Sequence, residues 1–243
     1  MHEIVIKHQD KNLQAVLHEA VKTPAKATII ISHGFRGSKE GGGRAKLLAE
    51  GAALEKCNVI RFDFTALSTL TEQINELNSV LCFAKEKFNE DIILLGRSMG
   101  GCASLFSCTQ NKDVRGLILC SMPFDLYATF TLTLGIENLK ALKKGYAVSL
   151  DDEWGKAILQ PEFYADLMSY DMTIALTQLC ESLPTLFVHG EFDEIVPLQQ
   201  AEKAYELCAS EKTFALIEGG DHRFISGFEQ SKEAILRWLA VNF

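Results

Sequence analysis

The segment DIILLGRSMGGCASL, residues 91–105, joins a hydrophobic run to a helical pattern through a serine surrounded by glycines. Gly96, Gly100 and Gly101 flank Ser98. Glycine weakens both strands and helices because it has the most backbone freedom to lose on folding. Glycines at this density therefore predict a turn between a strand and a helix, with a backbone geometry that larger residues could not adopt.

The same order of strand and then helix recurs on both sides of this segment. Further apolar strands are predicted at ATIIISHG (27–34), NVIRFDF (58–64), VRGLILCS (114–121), PTLFVHG (184–190) and KTFALIEG (212–219). Strands that are apolar almost throughout are expected where helices cover both faces, and the alternation requires right-handed crossovers. With two short strands near the N-terminus, the sequence predicts an α/β fold with a mostly parallel, twisted sheet of about eight strands.

The regular alternation stops between residues 122 and 183. Short helical patterns in this part carry scattered aromatic residues, among them Phe130 and Phe163. We interpret it as a helical cap inserted into one domain that spans residues 1–243, because no internal repeat or low-complexity linker marks a second domain.

Composition excludes several classes of protein. The chain has 243 residues, of which 47% are hydrophobic and 23% are charged, as in ordinary globular domains. A formal net charge of −8 with dispersed Lys and Arg argues against nucleic-acid binding. No apolar run reaches the roughly 18 to 20 residues of a membrane span, and the N-terminus lacks a signal-peptide pattern.

Cysteine and histidine usage bears on metals and on the cellular compartment. Seven cysteines lie in apolar segments without a C-x-x-C pair, which favours buried, reduced thiols over disulfides or a zinc site. No histidine pair has metal-ligand spacing such as H-E-x-x-H. We therefore expect a cytoplasmic protein without a metal or cofactor; its oligomeric state is left open, with a homodimer as one option.

The loop after the strand at 91–96 contains a candidate nucleophile. In an open parallel sheet, ligands bind beyond the carboxyl ends of the strands. GRSMG (96–100) is a G-x-S-x-G pattern between a strand and a helix, where a strained turn would expose the Ser98 hydroxyl. The alternative is a glycine-rich helix start with Ser98 as its cap. A serine nucleophile needs a base, and histidine is suited to that role because its pKa lies near neutrality.

The predicted base is His222, which follows the last strand in IEGGDHRF and lies at the same sheet edge as Ser98. A histidine in a surface loop is the alternative. His2, His8 and His18, in contrast, are expected on a solvated edge of the N-terminal hairpin. His33 and His189 each stand at a strand end before a glycine.

The preceding loop, HGEFDEIVP, offers Glu191, Asp193 and Glu194 as the carboxylate that orients the histidine. We prefer Asp193, since it gives the order serine, acid, histidine that this architecture requires. Glu194 is expected to be a solvated neighbour or part of the following helix start. The alternative role for Asp193 is a helix-capping turn before Pro197.

The oxyanion of an acyl-transfer reaction needs two further hydrogen-bond donors. One is expected from the backbone N–H of Met99, directly after the nucleophile. The other is expected from Phe35 in SHGFRGS, the loop after the strand at 27–34.

These motifs resemble the α/β-hydrolase superfamily, and within it the small bacterial carboxylesterases that include cinnamoyl (feruloyl) esterases. The likeness runs from about residue 27 to 243, excluding the cap. It implies that HGF carries the oxyanion loop at Phe35, and that Ser98, Asp193 and His222 are nucleophile, acid and base. Two features depart from the family: Arg97 before the nucleophile, where a histidine or aromatic residue is common, and DFTALS (63–68), which lacks the family's glycines.

The resemblance implies a serine esterase acting on a small-molecule carboxylic ester, such as an aryl or hydroxycinnamoyl ester. A peptidase or acyl-peptide hydrolase, and a thioesterase or lipid hydrolase, would use the same catalytic residues. Peptides are the second choice because the sequence contains no propeller or other gating domain. A non-enzymatic binding module would be expected to lose at least one catalytic side chain.

Overall fold

In the computed structural model, which describes residues 1–152 and 154–243, the described residues form an eight-stranded and a two-stranded sheet. The strands are β1 (His2–His8), β2 (Lys11–His18), β3 (Ala27–Ser32), β4 (Cys57–Phe62), β5 (Asp91–Arg97), β6 (Val114–Cys120), β7 (Val148–Asp152), β8 (Gly155–Leu159), β9 (Thr185–Gly190) and β10 (Lys212–Ile217). The helices are α1 (Arg44–Leu54), α2 (Leu70–Lys87), α3 (Met99–Gln110), α4 (Leu126–Leu134), α5 (Ile136–Lys143), α6 (Glu162–Leu167), α7 (Met172–Thr177), α8 (Leu198–Leu207) and α9 (Phe228–Asn242).

The main sheet has the strand order β1-β2-β4-β3-β5-β6-β9-β10. Strand β2 pairs antiparallel with both β1 and β4, and the pairs from β4 to β10 are parallel. The predicted mostly parallel sheet of about eight strands is confirmed. Because the parallel strands share one direction, their carboxyl ends and the loops that follow lie at one edge, which we call the rim.

Helices cover both faces of the sheet and divide the interior into two cores. Successive side chains of a strand point to opposite faces, so Leu94 joins the core under α2 and α3, whereas Ile93 and Leu95 join the core under α1 and α9. We call these the first core and the second core. Strand β3 is buried at every position, as expected for a strand with helices on both sides.

The segment between β6 and β9, residues 121–184, contains α4 to α7 and the β7–β8 hairpin; we call it the inserted segment. Its buried residues, including Leu139, Phe163 and Leu176, are continuous with the first core. The hairpin was not expected, since the sequence pattern indicated only helical fragments. Val148 and Leu150 are buried while Ser149 between them is exposed, a period of two that marks a half-buried strand.

Two histidines of the N-terminal hairpin contradict the sequence prediction. His8 and His18 are only 4% and 3% exposed, whereas His2 is exposed. His18 lies on β2, which is covered by β1 and β4, and its Nε2 accepts a hydrogen bond from Nε of Arg61 at 3.1 Å. Burial and then the charge of Arg61 lower the pKa of His18 to about 4. These side chains point inward, so they belong to the core of the hairpin rather than to a solvated edge.

Two further expectations from composition can be compared with the structure. All seven cysteines are free, and five of them are buried as expected, but Cys82 and Cys180 are exposed. The helices of the described residues include none that is long and apolar enough to cross a membrane.

Candidate active site

Ser98 occupies the turn between β5 and α3 with backbone angles of φ 53° and ψ −126°. Positive φ is rare for a residue with a side chain, so the strain predicted for this turn is confirmed. Gly96 and Gly100, however, do not themselves have positive φ. A Cβ on Gly96 would lie 2.2 Å from the carbonyl oxygen of Gly100, and one on Gly100 would lie 2.4 Å from that of His33. These glycines are required by close backbone approach, and the strained residue is the serine.

The rim brings together the three side chains that the sequence singled out. Nε2 of His222 lies 3.1 Å from Oγ of Ser98. Nδ1 of the same ring lies 2.9 and 3.0 Å from the two carboxylate oxygens of Asp193. All three residues are buried, each less than 10% exposed. Since the loops come from β5, β9 and β10, residues 124 positions apart in the chain meet at one point.

Asp193 both contacts His222 and forms a turn before Pro197, but it does not cap α8, which has no side-chain cap. Besides the imidazole, its Oδ1 accepts hydrogen bonds from the backbone N–H groups of Ile195 and Val196 at 3.0 and 2.7 Å. Burial raises the pKa of Asp193, but the hydrogen bond and charge of His222 and the N–H of Val196 outweigh it and hold the pKa below 3.8. The carboxylate is therefore ionised at neutral pH and keeps the histidine oriented.

Two contacts fix the backbone of His222, and the sequence did not predict either. Oε2 of Glu194 accepts a hydrogen bond from the N–H of His222 at 3.1 Å, and Nη1 of Arg97 donates to its carbonyl oxygen at 3.5 Å. Glu194 is exposed as expected, yet it ties the β9 and β10 loops together. It lies outside α8, which begins at Leu198.

The two expected oxyanion donors are Met99, the first residue of α3, and Phe35 in the loop after β3. A Cβ on Gly34 would be only 2.9 Å from Cβ of Ser98, so the loop that carries Phe35 runs directly against the serine. Among the described residues, the N–H groups of Phe35 and Met99 donate to no backbone carbonyl, which leaves both available to a ligand. Their role in binding an oxyanion stays a prediction.

His33 holds the same loop in place. Its Nδ1 donates to the carbonyl of Gly34 at 2.9 Å, and its Nε2 accepts from the N–H of Phe64 at 3.0 Å. One donating and one accepting nitrogen define a neutral imidazole. Burial lowers the pKa of His33, which agrees with this neutral form.

The inserted segment contacts the loop after β3 through aromatic and charged residues. The ring of Phe35 packs against Phe130 and Phe163 with centroid distances of 5.5 and 5.3 Å. Nη2 of Arg36 donates to Oδ1 of Asp152 and to the carbonyl of Gly155, both at 2.9 Å. The expected oxyanion loop is thus held by the inserted segment as well as by the sheet.

A cavity of about 710 Å³ opens beside Ser98 and His222. The inserted segment contributes part of its lining, including Phe130, Leu134 and Leu150. A volume of this size suits a small organic ligand. The three catalytic candidates thus lie against a space that can hold a substrate.

The described residues contain one group of side chains with metal-ligand proximity, His8, Glu72 and Glu76, whose ligand atoms lie within 4.8 Å of one another. Nζ of Lys11 forms an ion pair with Glu72 at 2.5 Å, which already neutralises one of these carboxylates. The group lies on β1 and α2, elements that carry none of the candidate catalytic residues.

A central strand of the parallel sheet ends in a strained serine, and an aspartate and a histidine follow later in the chain at the same rim. This arrangement defines the α/β-hydrolase fold. The fold predicted from the motifs is confirmed by solved structures. Est1E from Butyrivibrio proteoclasticus, solved with ferulic acid bound, is 20% identical with a TM-score of 0.81, and the match covers 98% of each chain. The esterase domain of a Rhodothermus marinus protein is 16% identical with a TM-score of 0.77, covering 99% of this chain and 96% of that one.

The chain belongs to the prolyl oligopeptidase family, whose model matches residues 77–241. Both the fold and the family are those of hydrolases. An uncharacterized protein of Salmonella typhi, YfhR, is 26% identical over 185 residues, which are 70% of this chain and 53% of that protein. The chain therefore spans about half the length of that relative.

Proposed function

We propose that this protein is a serine hydrolase that cleaves carboxylic esters through an acyl-enzyme on Ser98. The observation that carries the proposal is the continuous set of contacts from Oγ of Ser98 through the His222 ring to Asp193, at 3.1 and 2.9 Å. A hydroxyl within hydrogen-bond distance of an imidazole, which is itself oriented by a carboxylate, is the arrangement that activates a serine.

In the first step, Oγ of Ser98 bonds to the carbonyl carbon of the ester while Nε2 of His222 takes the hydroxyl proton. The N–H groups of Phe35 and Met99 donate to the resulting oxyanion, each lowering the barrier by roughly 3 kcal/mol. The bond between the carbonyl carbon and the alcohol oxygen then breaks, and the alcohol leaves with the proton from the imidazolium. Asp193 stabilises that imidazolium without taking its proton.

In the second step, water replaces the alcohol. The oxygen of the water bonds to the acyl carbon while His222 takes a proton from the water. The tetrahedral intermediate then breaks its bond to Oγ of Ser98, and the proton returns to the serine. The products are one carboxylic acid and the free enzyme.

The lining of the cavity supports a small ester as the first substrate to test. Phe35 and Phe130 offer aromatic surface beside the serine, as an aryl or hydroxycinnamoyl group would need. Hydroxycinnamoyl esters are also suggested by the sequence resemblance to cinnamoyl esterases.

A second candidate is cleavage of an amide bond in a peptide, which the match to the prolyl oligopeptidase family favours. The same three side chains would serve it, and they would also serve thioesters. The candidates differ in the leaving group, so a matched set of 4-nitrophenyl esters, 4-nitroanilides and thioesters with the same acyl group separates them. We expect the ester to be cleaved with the highest kcat/KM.

The test is covalent labelling of Ser98. The wild-type protein should react with a fluorophosphonate, and Ser98→Ala should lose both labelling and ester turnover, by on the order of 10⁵- to 10⁶-fold in kcat. Ser104→Ala is the matched control, because Ser104 is a fully buried serine of α3 whose hydroxyl has no hydrogen-bond partner among the described residues. Undiminished esterase activity in Ser98→Ala would refute the assignment.

A further inference from the structure

The cavity beside Ser98 extends to the side of the sheet opposite the inserted segment. Part of its lining comes from α1 and α9, through Arg44, Leu48 and Ile235, and from Leu95 on β5. Leu48, Leu95 and Ile235 belong to the second core. Arg97 follows Leu95 by two positions and therefore points to the same face. We call this part of the cavity the inner arm.

The described residues that line the cavity carry a net charge opposite in sign to that of the whole chain. Among its described lining residues are five cations, Arg36, Lys39, Arg44, Arg97 and Arg223, and three carboxylates, Asp151, Asp152 and Glu194. The chain as a whole has a formal net charge of −8. A local excess of cations around a concave site attracts anions, since a concave surface of low polarity focuses the electric field.

Arg97 and Arg44 are the two cations whose charge the described part of the chain does not pair. Lys39 and Arg36 form ion pairs with Asp63 and Asp152 at 2.6 and 2.9 Å. Arg223 lies over the ring of Trp154. Arg97 donates a hydrogen bond to the carbonyl oxygen of His222 at 3.5 Å, and this acceptor is a neutral group that does not balance the charge of the guanidinium.

The carboxylates of the loops after β9 and β10 are already engaged. Asp193 holds His222, and Glu194 accepts from the backbone of the same residue. Asp221, whose pKa the charge of Arg44 helps to lower, accepts hydrogen bonds from three backbone N–H groups, those of Arg223, Ile225 and Ser226.

The guanidinium of Arg97 lies close to the reacting serine. A Cβ on Gly34 would be 2.9 Å from Cβ of Ser98 and 3.2 Å from Nη2 of Arg97, so both side chains border the small space beside Gly34. Burial, with smaller contributions from the charges of Arg223 and Arg44, lowers the pKa of Arg97 to about 10. The group is still protonated at neutral pH.

We propose that Arg97 and Arg44 form an anion subsite in the inner arm, so that the preferred ester carries a carboxylate or phosphate group in addition to the bond that is cleaved. This proposal rests on the proposed function of Ser98. A guanidinium is suited to the task because it presents several N–H donors in one plane and matches a carboxylate or phosphate with two parallel hydrogen bonds.

The test compares each of two anionic esters with the neutral methyl ester of the same compound. On the acyl side, 4-nitrophenyl hydrogen glutarate is paired with 4-nitrophenyl methyl glutarate; on the alcohol side, 4-carboxyphenyl butyrate is paired with its methyl ester. The wild-type protein should prefer the anionic member of one pair. Arg44→Gln should lower kcat/KM for that member by about 10- to 100-fold and leave its neutral partner within about threefold, and Arg97→Gln, which also removes a contact with the His222 backbone, should lower the ratio of anionic to neutral kcat/KM by about 10- to 100-fold.

Arg115→Gln is the control variant. It removes one positive charge from β6, where Arg115 is exposed and lies 3.9 Å from Asp91, and it does not line the cavity. This variant should hydrolyse all four esters like the wild type.

Three outcomes would overturn the subsite. In the first, the wild-type protein has no preference for either anionic ester. In the second, both arginine variants lose the same factor in kcat/KM on charged and on neutral esters. In the third, Arg115→Gln shows the same selective loss in kcat/KM. An equal loss would mean that Arg97 only supports the His222 backbone. Neutral esters cleaved without charge preference would overturn the subsite alone, whereas no reaction with any ester or with the fluorophosphonate would overturn the proposed function as well.

Discussion

The rim and the inserted segment both border the cavity, but different forces hold them in place. At the rim, backbone atoms of neighbouring elements touch so closely that Gly96 and Gly100 have no room for a methyl group. In the inserted segment, Gly135, Gly145 and Gly155 have nothing within 4 Å of an added Cβ. That segment is fixed by side chains instead, such as the ring of Phe163, which is 1% exposed.

The candidate catalytic residues and the residues expected to select the substrate are therefore held in place by different kinds of contact. A site fixed by backbone contacts keeps its geometry only with a few particular residues, whereas side-chain packing tolerates many substitutions that keep the volume. The two regions meet at Phe35 and Arg36, which contact Phe130 and Asp152. We therefore expect changes in the inserted segment to alter which ester is cleaved, and changes at the rim to abolish cleavage.

Among the substitutions that keep Ser98, the largest effect is expected from Asp193→Asn. The amide cannot stabilise the imidazolium and favours the wrong tautomer of His222, so kcat for a neutral 4-nitrophenyl ester should fall by about 10⁴-fold. Asp113→Asn is the control, because Asp113 is an exposed carboxylate that pairs with Lys85 away from the rim. A fall of less than tenfold in Asp193→Asn would mean that the rim does not depend on this carboxylate.

The next largest effect is on the free energy of unfolding, and it tests the backbone contacts of the rim. Gly96→Ala would place Cβ 2.2 Å from a backbone carbonyl that cannot move without shifting α3. We expect a loss of about 5 kcal/mol or more in the free energy of unfolding, measured by urea denaturation. Gly51→Ala is the control: it adds the same methyl group inside α1, where the nearest atom is a flexible side-chain carbon of Leu236 at 3.2 Å, and should change stability by less than about 1 kcal/mol.

In the inserted segment, Phe163→Ala should cost about 3 to 5 kcal/mol of stability, because it removes a fully buried ring that contacts both Phe35 and Phe130. The remaining folded protein should still react with a fluorophosphonate, since Phe163 does not contact His222 or Asp193, the side chains that activate Ser98. The matched control is Phe192→Ala on the rim, where the ring is 69% exposed and its loss should cost less than about 0.5 kcal/mol. Loss of labelling in folded Phe163→Ala would show that the two regions are not separable.

The smallest effect is the change of thermal stability at acidic pH. Because the pKa of Asp193 is held below 3.8 in the folded state, its ionised form stabilises the fold above that pH, and this contribution is lost as the pH falls through the folded-state pKa. The Tm difference between wild type and Asp193→Asn should therefore be several degrees at pH 7 and shrink below pH 3.8. A difference that is the same at pH 7 and pH 3 would contradict the role of the charge.

The candidate catalytic residues were predictable from the sequence because each follows a strand of the same sheet. Ser98, Asp193 and His222 stand in loops after β5, β9 and β10, and parallel strands bring those loops to one edge. Glu194 and Arg97 were present in the same motifs, but their contacts with the backbone of His222 depend on how two loops cross. No local pattern encodes that crossing.

Elsewhere the sequence prediction failed where burial depends on distant partners. His18 is polar and near the N-terminus, yet Arg61, 43 positions away, gives its ring a buried hydrogen bond.

The β7–β8 hairpin was missed because each strand has only five residues, which is short for a periodic pattern.

The sequence by itself determined the parallel sheet, the strained serine and the order of serine, aspartate and histidine, because these depend on local periodicity and on glycines at fixed spacing. Tertiary structure alone decided which cations of the cavity have no charged partner among the described residues, and which aromatic rings of the inserted segment meet Phe35. Charge pairing and ring packing join residues up to 128 positions apart, as Phe35 and Phe163 do, and such distances are set by the folded chain rather than by any short motif.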